Sequence, residues 1–114
     1  MTQPNFIDFE SAARAQGFDA VLERVWAPDQ VVGTHSHPFA VQALVVAGEF
    51  WLGCKGHTRH LQAGDRFEMA AGEPHDERYG PQGATFWVAQ RHPAESRSSL
   101  GALTPQPAVP NGQA

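Results

Sequence analysis

A chain of 114 residues, 41% of them apolar and with a mean hydropathy of −0.38, has the material for one packed core. It holds no run approaching the ~18 consecutive apolar residues of a membrane span. The net charge of −4, with the eight Lys and Arg scattered along the chain, excludes the basic patch of a nucleic-acid binder. A lone cysteine, Cys54, excludes an intrachain disulfide framework, and the N-terminal residues have no basic-then-apolar leader, so the expected compartment is the cytoplasm.

In chain order, residues 1–17 form an N-terminal segment with a short helix over 8–16: Asp8 can cap it, Ala12, Ala13 and Ala15 favour it, and Gly17 suits its stop. Residues 18–92 then read as short strands between turn signals, over 20–26, 31–37, 42–46, 50–52, 60–62, 66–69, 75–79 and 84–90. Gly48, the Cys54-Lys55-Gly56-His57 run, Ala63-Gly64-Asp65 and Gly80-Pro81-Gln82-Gly83 supply turns, and Pro38 interrupts a strand because it cannot donate to a ladder. Many short strands with almost no helix predict an all-β sandwich or barrel. Residues 93–114 are Pro-rich and poor in large apolar side chains, which predicts a flexible tail.

Six histidines in so short a chain are the chemical anomaly, since imidazole is the commonest metal-ligating side chain. His35 and His37 are two residues apart, so on an extended strand both project from one face. His75 follows a Gly/Pro turn and opens a new strand; in a closed barrel it can reach the same interior and complete a three-imidazole set for Zn, Fe, Ni, Mn or Cu. Glu77, two residues after His75, shares its face and is a candidate both for the fourth ligand and for a catalytic base. His57 and His60 flank a hairpin and read as exposed, and Cys54 has no partner that would activate it. Trp26, Trp51 and Trp87 read as core or interface residues, and Phe39, Phe67, Met69 and Phe86 as the wall or floor of a small apolar pocket.

The motifs resemble those of the cupin superfamily. Its first motif is matched by His35-x-His37 closed by Gly48, and its second by Gly64-x5-Ala70-x-Gly72-x2-His75-x3-Tyr79. The resemblance covers about residues 18–91. It implies a double-stranded β-helix (a jelly-roll barrel), one divalent metal ion, a small-molecule ligand or substrate, and a homodimer. Ala70 and Tyr79 replace the proline and asparagine of the second motif, and the motif-one glutamate is missing: the two permitted spacings put Val41 or Gln42 there. Gln42 can ligate through its amide oxygen, as in small cupins that linearise unsaturated uronates, whereas His75-x-Glu77 resembles pirin-like cupins. The fourth ligand is therefore Gln42 or Glu77. The implied activity is isomerisation or ring opening, or dioxygenation, at a mononuclear centre; the alternative is a non-catalytic barrel that senses a small ligand.

Overall fold

The computed structural model describes residues 4–93, so the tail expected over 93–114 falls almost wholly outside the described residues. One helix, α1 (Phe6–Ala15), is followed by six strands: β1 (Ala20–Trp26), β2 (Val31–His35), β3 (Ala40–Cys54), β4 (His57–Gln62), β5 (Arg66–Met69) and β6 (His75–Arg91). No helix among the described residues is long and apolar enough to cross a membrane.

The helix starts two residues before the expected position because Asn5, not Asp8, caps it. The Asn5 side-chain oxygen accepts from the Asp8 backbone N–H at 2.8 Å, and Asp8 answers from the first turn by accepting from Asn5 Nδ2 at 2.9 Å. Phe18, Ala13 and Ala89 form a small second core beneath α1, and Phe6 and Phe9 pack against Trp87. The helix thus spends its apolar face on the chain's own sheet.

The eight short strands expected from the sequence are six, because two pairs fuse. Gly48 and the Gly80–Gly83 segment, read as turns, are bends inside the long strands β3 and β6, which pair antiparallel along their lengths with register shifts at Val45/Ala47 and Gly48/Phe50. Each long strand changes its other neighbour at the bend. β6 pairs β2 with its first half and β1 with its second; β3 pairs β5 with its first half and β4 with its second. The single sheet is thereby folded into two halves that share one core, the double-stranded β-helix.

The bends also flip side-chain parity. On β3 the core residues are Val41, Ala43 and Val45 before the bend and Phe50 and Leu52 after it; on β6 they are Tyr79 before and Ala84, Phe86 and Val88 after. A bulge inserts one residue, and one residue reverses every side chain beyond it. Gly48 is the pivot: its φ is +76°, and a Cβ there would lie 2.7 Å from Ala84 Cα and closer still to the Gly83 carbonyl oxygen. Gly48→Ala should therefore cost about 3 kcal/mol or more. A urea midpoint for that variant equal to the parent's would mean that the crossing has slack.

Candidate metal centre

The histidines meet at one end of the barrel. His35 closes β2 opposite His75, the first residue of β6. Between Val32 and His35 the register slips, three steps on β2 against two on β6 (Val32 lies opposite Glu77), so Val32 packs on the core while His35 also turns inward. His37 lies two residues beyond the end of β2, outside the paired strand, which was expected to run over 31–37. It is held from the other motif, since the Gly72 N–H donates to the His37 carbonyl at 2.7 Å. Its ring stacks on Phe39 at 4.9 Å and 13°.

The rings of His35 and His37, His35 and His75, and His37 and His75 lie 4.9, 4.3 and 5.1 Å apart, and one nitrogen from each falls within 4.8 Å of the others. Two of the imidazoles have a fixed tautomer. His35 Nδ1 faces the Gly33 carbonyl at 2.7 Å and His75 Nδ1 faces the Glu73 carbonyl at 3.0 Å; a carbonyl only accepts, so each Nδ1 carries the proton. That leaves both Nε2 atoms for the shared space, the arrangement second-shell carbonyls impose on metal-binding histidine.

Glu77 enters the same space. Its carboxylate is 2% exposed, with Oε2 3.3 Å from His75 Nε2 and 3.5 Å from His35 Nε2. His35 Nε2, His75 Nε2 and Glu77 Oε2 are all withdrawn from solvent with no hydrogen-bond partner. Three buried lone-pair atoms pointing at one another are costly unless something shared satisfies them. A divalent cation fits that donor set: neutral imidazole nitrogens and one carboxylate oxygen are ligands of Zn, Fe, Ni, Mn and Cu. In the ion-free site, burial alone lowers the His75 pKa, but Glu77 and Glu73 outweigh it and the net direction is up.

Tyr79, the next inward residue of β6, holds the other oxygen of Glu77. Its hydroxyl donates to Oε1 at 2.5 Å, and its ring is stacked between Trp26 and Phe50, at 5.0 Å on each side. Burial and the neighbouring Glu77 push the Tyr79 hydroxyl pKa far up, so it stays a donor. In the motif Tyr79 is simply a replacement for asparagine; the signal for its role is the period-two series His75, Glu77, Tyr79.

Gln42 is not brought to the histidines. It precedes the β3 bend at the parity of the outer face, and lines a cavity of about 290 Å³ with Asn5, Asp8, Ala12 and Arg66 beside α1. His57 and His60 are exposed on β4, and His60 Nε2 lies 2.7 Å from Glu49 Oε1. Trp26 is in the core and Trp87 lies under α1, while Trp51 is on the outer face between His60 and Arg78. Phe67, Met69 and Phe86 belong to the main core, and Phe39 stacks on the site histidine His37.

A family model described as an AraC-like ligand binding domain matches residues 18–112. Among solved structures, the chain is similar to a conserved protein with a double-stranded β-helix domain from Klebsiella pneumoniae subsp. pneumoniae MGH 78578, at 26% identity over 66% of this chain and 68% of that one, with a TM-score of 0.57. An RmlC-like cupin from Shewanella frigidimarina NCIMB 400 shares 21% identity over 71% of this chain and 72% of its own, with a TM-score of 0.60. A DMSP lyase from Ruegeria pomeroyi DSS-3 shares 26% identity over 66% of this chain but only 38% of its own length, with a TM-score of 0.56. No curated protein sequence matches.

Proposed function

The chain belongs to the AraC-like ligand-binding domain family, a cupin-type barrel, and from that premise we propose a mononuclear metal centre, ligated by His35, His37, His75 and Glu77, that transforms a small organic molecule. The observation that carries this reading is the convergence of buried His35 Nε2, His75 Nε2 and Glu77 Oε2 on one point. A divalent ion held by these residues would supply Lewis-acid polarisation of a ligand oxygen.

The chain's own residues divide the remaining work. The Gly33 and Glu73 carbonyls fix the His35 and His75 tautomers. Tyr79 orients Glu77 by occupying one carboxylate oxygen, which favours the ligand role of Glu77 over its other expected role, that of a base. Phe39 covers the His37 ring and limits water at that side. Three neutral imidazoles and one carboxylate suit polarisation and proton transfer, the needs of isomerisation, ring opening or bond cleavage; the lyase from Ruegeria pomeroyi favours this non-redox group over dioxygenation.

Metal analysis of protein purified without a polyhistidine tag tests the reading. One ion per chain is expected, lost in His75→Ala. A second reading, a non-catalytic sensor, is favoured by the ligand-binding description of the family. Metal-free protein that refuses reconstitution with Zn, Mn, Ni or Fe(II), yet melts higher with a small ligand, would replace the first reading with the second.

A further inference from the structure

We propose that Lys55 is a positioning residue for the metal centre, an inference that rests on the metal reading above and adds what holds its ligands in place. Two of the three site histidines hang from one turn, residues 70–73 between β5 and β6. The Gly72 N–H donates to the His37 carbonyl at 2.7 Å, and the Glu73 carbonyl accepts from His75 Nδ1 at 3.0 Å. The turn is closed from both ends. The Glu73 N–H donates to the Ala70 carbonyl at 3.2 Å, and the Ala70 N–H donates to Glu73 Oε1, also at 3.2 Å. The other carboxylate oxygen, Oε2, leaves the turn and meets Lys55 Nζ at 2.9 Å. Lys55 belongs to the two-residue hairpin between β3 and β4, and strand pairing sets its neighbour Cys54 opposite His75. The ion pair therefore ties the turn that supports His37 and His75 to the strand end beside them.

Stability alone does not account for this ion pair. The Lys55 side chain is 78% exposed, and a pair with so exposed a partner contributes little to folding. Lys55 also has a left-handed backbone, φ +55°, in a turn whose second residue, Gly56, has φ +78°. A two-residue turn with both φ positive favours asparagine or glycine at its first position, and a longer side chain there costs stability. The fold thus carries local strain at Lys55 next to a functional site, and what the lysine supplies in return is an anchor for the Glu73 carboxylate. With Oε2 anchored, the Glu73 carbonyl is held toward His75. Nδ1 then keeps its proton, and Nε2 keeps its lone pair for the ion.

The test measures zinc affinity by competition with a chromophoric chelator, beside the urea midpoint and the proton NMR resonance of His75 Nδ1–H. Lys55→Asn gives the turn its preferred Asn-Gly pair, so the midpoint should stay level or rise. Zinc should nevertheless bind roughly 10-fold more weakly, the low end of what outer-shell partners give. The Nδ1–H resonance should move upfield and exchange faster with water, in zinc-loaded and in metal-free protein alike. Lys55→Arg, which keeps the cation and the turn strain, should retain the parent's affinity and resonance. Lys55→Asn combined with Glu73→Gln should weaken zinc no more than the stronger single change, because both break one contact. Parent-like affinity and resonance in Lys55→Asn overturn the inference and leave the metal reading intact. A loss of affinity that only tracks a falling midpoint, or that Lys55→Arg shares, overturns it too. If the parent takes up no zinc, the metal reading fails. The resonance in metal-free protein then decides whether Lys55 positions His75: a shift on Lys55→Asn supports it, and no shift overturns it.

Discussion

Stripping the ion from metal-loaded protein with a chelator should lower its unfolding midpoint by roughly 15 °C or more. An ion bound only by the native state, at a free concentration ~1,000 times its dissociation constant, adds about 4 kcal/mol, and a domain of this size loses ~4–8 °C per kcal/mol. The stripped protein must also keep Glu77 Oε2 and two imidazole Nε2 atoms buried against each other. The effect depends on pH in a definite direction. The folded-state pKa of His75 is raised from 6.5, burial opposing and Glu77 and Glu73 prevailing. A raised folded pKa means that the protonated pair stabilises the ion-free fold fully below the unfolded value and ceases to do so as pH rises through the folded value. Metal binding requires the same imidazole deprotonated, so affinity moves the opposite way. The gap between loaded and stripped midpoints should therefore widen from about pH 6 to about pH 8. Differential scanning calorimetry at the two pH values checks it; a gap that narrows would place the ion elsewhere.

Motif spacing made His35, His37 and His75 legible in the sequence because all three sit beside features that sequence records well: a strand end before Pro38 and a Gly/Pro turn before β6. The turn does more than reverse the chain, since Gly72 holds the His37 carbonyl and the Glu73 carbonyl orients the His75 ring. What escaped was anything depending on parity across a bulge. Gly48 looks like a strand terminator, and only the long-range pairing of β3 with β6 shows that its left-handed conformation is a bend within one strand. Without that pairing, the face of Gln42 relative to Phe50 cannot be counted. Asn5 was more accessible, since Asn5-x-x-Asp8 is a local capping pattern.

The fourth ligand can be assigned by three substitutions whose effects the geometry ranks. Glu77→Gln keeps the shape of the side chain but removes the anionic donor, and should produce the largest loss of metal affinity. Tyr79→Phe keeps the ring between Trp26 and Phe50 but removes the donor to Glu77 Oε1, and should weaken the metal roughly 10- to 100-fold. The same change leaves a buried carboxylate oxygen without its partner, at a cost of about 1–3 kcal/mol in stability. Gln42→Ala, on the outer face beside α1, should leave metal affinity at the parent value. Competition with a chromophoric chelator measures all three. If Gln42→Ala loses as much affinity as Glu77→Gln, the side chain that looks outward in this fold must reach inward in solution, and the parity flip at Gly48 that places it outside is wrong. If Tyr79→Phe alone behaves like the parent, Glu77 is held by the ion and not by its neighbour, and the stack of Trp26, Tyr79 and Phe50 is packing with no bearing on the centre.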